Sequence, residues 1–260
     1  MDNKFEEVLP RGVALSWGLN KPTQRGPKRE ISLKQIVDAA IAIADKNGLS
    51  AVSMNKVAES FGFTTMALYR YVPSKEDLVL LMQDAVFDIA IPEQDSDHWR
   101  ENMIDFVMTL MQCFQNHSWL CDIPASGIPI TPNHLRIVDW ALRIMSQLSL
   151  DHHEKISIVV LLTSHARVHS FFQRDMNRAV KTGVHTGPVP GASYHAALEH
   201  LVTSERFPYL RPVVLAGAYS PDDDNRNVSV YGFEFDFGLE RILDGIEHYV
   251  TSMTTKYTGP

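Results

Sequence analysis

Apolar residues recur along most of this chain at spacings of three and four, the pattern of a helix buried on one face. The first such stripe is Leu33, Ile36, Val37, Ala40, Ile41 and Ala44. Ser32 and Gln35 precede it as a Ser-x-x-Gln capping box, and Gly48 closes it. A shorter stripe follows at Met54, Val57, Ala58 and Phe61, with Ser53 as its cap and Gly62 as its stop. Thr64 or Thr65 caps a third helix, expected to run through Leu68 to Val72, because Pro73 disfavours helical geometry in the residue before it. Ser74 caps a fourth, with Leu78, Leu81, Met82, Ala85, Val86 and Ile89 on its apolar side, and Ile91 and Pro92 end it.

The rest of the chain reads the same way, with turn clusters between helices. Trp99 to about His117 carries Met103, Phe106, Val107, Leu110, Met111 and Phe114 at helical spacing. Residues 121–132 hold Pro124, Gly127, Pro129 and Pro132 and read as a loop. Helices are expected over Asn133–Leu148, His152–Lys181 (the longest), Ala192–Thr203 and Gly232–Met253. Residues 183–191 and the acidic 220–227 are expected loops between them. No alternating run reads as a strand, and no internal repeat is present. Ahead of the first stripe, Pro10, Gly12, Pro22, Gly26 and Pro27 predict an irregular arm over residues 1–31, with Trp17 as a point where part of it docks.

Two short helices joined by a Gly-containing turn, Met54 to Phe61 and Thr64 to Val72, read as a helix-turn-helix. The second carries Thr64, Thr65, Tyr69, Arg70 and Tyr71, a surface rich in hydroxyls, aromatic edges and a guanidinium. Such groups suit a helix in the major groove, where they reach phosphates and base edges. The plainer reading is a helical hairpin whose tyrosines pack on a neighbour. The cluster RGPKR, with Arg25, Lys28 and Arg29, reads either as a solubilising tail or as an arm on phosphates.

The run SMNKVAESFGFTTMALYRYVPSKEDLVLLM, with SLKQIVDAAIAIADKNGLSAV ahead of it, resembles the DNA-binding domain of TetR-type transcriptional regulators. The resemblance covers about residues 25–90, and its most specific part is LYRYVPSKEDL with Gly48, Gly62 and Lys75 around it. It implies an all-α protein of two parts. Residues 32–90 would form a helix-turn-helix DNA-binding domain with a linking helix. Residues 95–260 would form a larger helical domain that binds a ligand and dimerises. By position, the family pattern carries DNA contact to Asn55, Thr64, Thr65, Met66, Tyr69, Arg70, Tyr71 and Lys75. The function so implied is a repressor released from a palindromic operator by a small apolar effector. Its partners would be double-stranded DNA, a second copy of the chain and that effector.

A net charge of -7 looks wrong for a DNA binder until its distribution is considered. Residues 21–75 hold nine Lys or Arg against four Asp or Glu, a balance of +5, whereas residues 91–260 hold 13 against 20, a balance of -7. Screening over about 8–10 Å makes the local excess decisive. Two cysteines eight residues apart, without a matching Cys or His pattern, fit a reducing cytosol rather than a disulfide scaffold. No apolar run of membrane-spanning length and no apolar signal core is present, so a cytoplasmic protein is expected.

Candidate chemistry beyond DNA binding is sparse. His165 and His169 share a helix face and could hold a metal, but no third ligand is evident and HExxH is absent, so no metal or cofactor is expected. GxSxG, Walker A and GxGxxG motifs are absent and the carboxylates are scattered, which leaves an enzyme little support. Met103, Phe106, Met111, Trp140, Met145 and Phe172 read either as plain core or, with His165 and His169, as the adaptable wall of an effector cavity. Leu239, Ile242, Leu243, Ile246 and Val250 form an apolar seam near the C-terminus, and with the long helix from His152 they are the expected dimer interface. The competing readings are a helical small-molecule-binding protein without specific DNA function and an all-α enzyme.

Overall fold

In the computed structural model, which describes residues 9–19, 31–93, 98–124, 130–182, 192–218 and 230–257, the expected caps are realised as hydrogen bonds. Ser32 and Gln35 close a reciprocal box: the Gln35 amide N–H donates to Ser32 Oγ at 3.2 Å, and the Ser32 amide N–H to Gln35 Oε1 at 2.9 Å. The Ser53, Thr64 and Ser74 hydroxyls accept from the backbone N–H groups of Lys56, Ala67 and Asp77. Of the two candidate threonines, Thr64 is therefore the cap. Gly48 and Gly62 both take positive φ, 82° and 70°, where a side chain would be strained.

All regular elements among the described residues are helical. In chain order they are α1 (Arg11–Ser16), α2 (Leu33–Asn47), a 3₁₀ turn (Leu49–Ala51), α3 (Met54–Glu59), α4 (Thr65–Leu68), α5 (Lys75–Ala85) and α6 (Trp99–Asn116). A second 3₁₀ turn (Ser118–Asp122) leads to α7 (Pro132–Ile144), α8 (His152–Thr182), α9 (Ala192–Leu201), α10 (Leu210–Leu215) and α11 (Val230–Tyr257). By compactness the chain divides into one unit of Met1–Ser170 with Glu247–Pro260, and a second of Phe171–Ile246.

Three departures from expectation stand out in the first unit. The arm holds a helix: Val13 and Ala14 are buried, and α1 packs on α5. α4 is a single turn, after which the N–H groups of Arg70 and Tyr71 bond three residues back, tightening the chain toward Val72. α5 ends at Ala85 rather than near Ile91, because the N–H groups of Phe87 and Asp88 likewise bond three residues back and turn the chain.

In the unit of α2 to α5, α2 packs on α3 and α5, and α3 on α4. Ile36, Ala40, Val57, Ala58, Leu68, Val72, Leu78 and Met82 have no exposed surface, and burial of a Leu- or Ile-sized side chain contributes about 1.5–3 kcal/mol. Two polar ties join this unit to later segments of the chain. Asp45, near the end of α2, accepts from the Trp119 indole N–H at 2.7 Å and lies 2.9 Å from His117 Nδ1. Asp84, on α5, accepts from the backbone N–H groups of Asn133 and His134 at 2.9 and 3.3 Å.

The second tie is a helix cap supplied from a distance. Thr131, at the N-cap of α7, makes no side-chain capping bond, so the Asp84 carboxylate takes that role against the positive end of α7. In the second unit α9 packs on α10, and the Arg211 guanidinium donates to the carbonyls of Glu199 and Val202, closing the end of α9.

Candidate functional site

The first candidate surface is built by α3, α4 and the start of α5. Leu68 is buried and fixes the rotation of α4, leaving Thr64, Met66, Tyr69 and Arg70 outward. Met66 is 74% exposed on the outer face of α4. Thr65 and Tyr71 are half-buried. Asn55 is exposed but engaged: Thr65 Oγ1 donates to its Oδ1 at 2.9 Å, and its Nδ2 donates to Glu59 Oε1 at 2.5 Å. The asparagine thus orients the first turn of α4 against α3. Lys75 is exposed at the first position of α5, where backbone N–H groups and the helix dipole favour an anion. Arg25, Lys28 and Arg29 lie outside the described residues, as do residues 183–191 and 220–227.

The second candidate is a cavity of about 510 Å³ in the first unit. Its volume falls in the range of small-molecule sites, roughly 300–1,000 Å³. α5 contributes Leu80 and Gln83, and the turn after it Phe87; α6 contributes Leu110 and Phe114, with Leu120 from the following 3₁₀ turn. α7 adds His134, Ile137 and Val138, and α8 adds Val159, Val160, Thr163, Ser164 and Arg167. Pro10 and Val13 of the N-terminal segment, with Pro124, Ile130 and Thr131, complete it. The wall is mostly apolar, with aromatic surfaces set by Phe87, whose ring stands 4.4 Å from the His134 ring and 6.4 Å from that of Phe114.

Arg167 is the one permanently charged side chain among these lining residues, and none of them is a carboxylate. Its guanidinium donates to the Ile123 carbonyl, which holds it at the cavity and leaves other N–H groups of its fork for an occupant.

Behind this wall, Asp84 is buried beside His134. Burial pushes its carboxyl up, but hydrogen bonds from the His134 and Thr131 side chains and from the His134 and Asn133 backbone outweigh burial. Its pKa therefore settles below the ordinary 3.8. Burial alone raises the Cys113 thiol, so this cysteine is poorly nucleophilic, and neither cysteine is in a disulfide.

None of the eight residues expected to line a pocket lines this cavity. Met103, Phe106, Met111, Trp140 and Met145 are buried core, with the Phe106 and Trp140 rings edge to face at 5.2 Å. His165 and His169 are half-buried and Phe172 is exposed. In the expected dimer seam, Leu239, Leu243 and Ile246 are already buried in the single chain, and Ile242 and Val250 are half-buried. A helical stripe looks alike whether it meets its own chain or a second copy. Pairs such as Leu110 with Phe114, and Val159 with Thr163 and Arg167, were visible as helical neighbours, and Arg167 is a lone cation in an apolar run. Which face of each helix turns toward a cavity is a tertiary property. Among the described residues no cluster of His, Cys, Asp or Glu could hold a metal ion, and no helix is long and apolar enough to cross a membrane.

Comparison with known proteins bears on both surfaces. Residues 36–82 match the family model of bacterial regulatory proteins of the tetR family, and residues 91–250 match the tetracyclin repressor-like C-terminal domain. α1 lies outside both spans. The HTH-type transcriptional repressor DrrR1 of Streptomyces coeruleorubidus is 29% identical over 244 residues, covering 92% of this chain and 86% of that one. An HTH-type transcriptional repressor of Mycobacterium tuberculosis is 22% identical over 228 residues, covering 85% and 82%. Among solved structures, the TetR family protein ActR of Streptomyces coelicolor in complex with actinorhodin superposes with a TM-score of 0.69 at 21% identity, over 85% of this chain and 99% of that one. The fold, the helix-turn-helix and the two family matches agree, and the chain is a DNA-binding transcriptional regulator of the TetR family.

Proposed function

We propose that the protein is a repressor that binds a near-palindromic operator as a homodimer and is released by a small, largely apolar molecule in the 510 Å³ cavity. One observation carries this reading. α5 begins at Lys75 beside the helix-turn-helix and, through Leu80 and Gln83, with Phe87 just past its end, forms part of the cavity wall. An occupant therefore touches the helix that holds the DNA-reading unit. Release needs only differential affinity: a ligand that prefers the state with misplaced reading helices weakens DNA binding by the same factor, and couplings of ~1–3 kcal/mol correspond to about 5- to 150-fold. The relatives named as repressors and the ligand-bound ActR structure support the reading.

Asn55, Thr64, Thr65, Met66, Tyr69, Arg70, Tyr71 and Lys75 are the proposed DNA contacts. The dimer surface is assigned to α8, where exposed Leu161 and Val168 share one helical face, together with the seam of α11, of which Ile242 and Val250 are only half-buried. The test starts from DNA upstream of the protein's own gene. Compounds that raise the melting temperature are titrated into the protein–DNA complex, and release is expected. A compound that fills the cavity yet leaves DNA affinity unchanged would sink the release mechanism.

A further inference from the structure

We propose that α1, the helix ahead of the DNA-reading unit, is a wall of the effector site and the clamp through which an occupant acts on α5. A helix of six residues has no stability of its own in water, so α1 exists because it is docked. Its docked face is shared between two neighbours. Gly12 lies against α5 so closely that a Cβ there would stand 2.7 Å from Asp77 Oδ1 and 3.2 Å from the Asp77 Cα. Val13, on the same short helix, is 4% exposed and lines the cavity with Pro10. Just beyond the helix, the Trp17 indole N–H donates to the carbonyl of Ile130, another lining residue, at 2.8 Å.

This placement has a mechanical consequence. The contact of Gly12 is with the third residue of α5, two positions from Lys75. A molecule that presses on Val13 shifts an element packed against the start of α5. A direct path from cavity to α5 already exists at Leu80 and Gln83, and α1 adds a second that reaches the start of the helix. The ligand class follows from the wall. α1 offers it only apolar surface, at Pro10 and Val13, while Arg167 on α8 supplies the single fixed charge, so an aromatic anion suits both.

The inference rests on the cavity being the effector site, and the experiment separates the two. The probe is 1-anilinonaphthalene-8-sulfonate, an aromatic anion that fluoresces on entering apolar sites. Hydrogen exchange of the full-length protein is measured with and without the dye, and dye affinity is measured for Val13→Trp and Val138→Trp. The expected result is slower exchange in residues 9–19 as well as in α7 and α8. Each tryptophan should weaken the dye by about tenfold or more, since each displaces at least a Val-sized share of apolar contact. Slower exchange in α7 and α8 alone, with Val13→Trp binding the dye as the wild type does, would overturn the role of α1 and leave the cavity intact. Unchanged dye binding by Val138→Trp would remove the cavity itself as the site, and the clamp with it.

Discussion

The DNA-reading unit and the cavity are built on different principles, although α5 belongs to both. In the unit from α2 to α4, every boundary but the end of α4 is set by a residue close to it in sequence: Ser32, Ser53 and Thr64 cap, Gly48 and Gly62 stop. The cavity is set by distance in sequence instead. Its wall takes residues from Pro10 to Arg167, and the helix that carries His134, Ile137 and Val138 is capped by Asp84, almost fifty positions earlier. A surface that must present a fixed set of groups to a rigid duplex gains from local rigidity. A site whose occupancy must be felt elsewhere gains from walls that belong to different segments, because moving one wall moves another part of the chain.

The sharpest way to break this contrast is at the joint. Asp84→Ala leaves two N–H groups of α7 without their acceptor and should destabilise the protein by roughly 1–3 kcal/mol in urea unfolding. Asp84→Asn keeps an oxygen acceptor without the charge and should cost less. The wild type carries the same signature in its pH dependence. Because the folded-state pKa lies below the ordinary 3.8, the ionised carboxylate contributes stability that is fully present above that value. It is lost as pH falls below 3.8 and through the folded value. The Asp84→Asn protein should lose less stability than the wild type across that acid range, and equal losses would show that Asp84 is not a stabilising charge.

A milder test compares two glycines that matter for opposite reasons. At Gly62 an added Cβ meets nothing within 4 Å, but the backbone sits at φ 70°. Gly62→Ala should therefore cost about 1 kcal/mol through backbone strain alone. At Gly12 a Cβ meets Asp77, backbone included. Gly12→Ala should act by pushing α1 from α5, speeding hydrogen exchange in residues 9–19 before it lowers global stability. If the two variants give the same exchange pattern, the distinction between conformational and steric glycines fails here.

Legibility in the sequence divides along the same line. Hydroxyl caps, positive-φ glycines and Pro73 act within a few residues, so the helices of the DNA-reading unit could be placed from them, apart from the early ends of α4 and α5. Those ends depend on bonds three residues back, which no residue type demands. The core was legible as apolar stripes, but a stripe does not state what it faces. Phe106 and Trp140 looked like pocket walls and are packed on each other, while Leu243 looked like a dimer seam and is buried in its own chain. Pro10 and Gly12 looked like helix breakers. Pro10 instead sits at the N-cap, where a missing N–H costs nothing, and Gly12 admits close approach to α5. Asp84 carried no signal, because its partners lie on another helix.

The smallest effect is expected at Lys75, and it separates positioning from reading on the DNA side. Lys75 is exposed at the first position of α5, so Lys75→Ala should change folding stability by less than about 0.5 kcal/mol. Its ammonium, added to the positive helix end, suits a phosphate. Each neutralised phosphate releases condensed counterions, so removing one such contact should flatten the slope of log K against log salt by about 0.9 while leaving the preference among DNA sequences unchanged. Tyr69→Ala supplies the contrast. Tyr69 is 43% exposed on the turn after α4 and carries no charge, so its loss should weaken binding and alter sequence preference while the salt slope stays that of the wild type. Both variants are measured on the same duplex from upstream of the gene, across a salt series. An unchanged slope for Lys75→Ala would take it out of the interface. A changed slope for Tyr69→Ala would show that its removal shifts the docking of the basic groups, and that α4 holds the protein on the backbone rather than reading the groove.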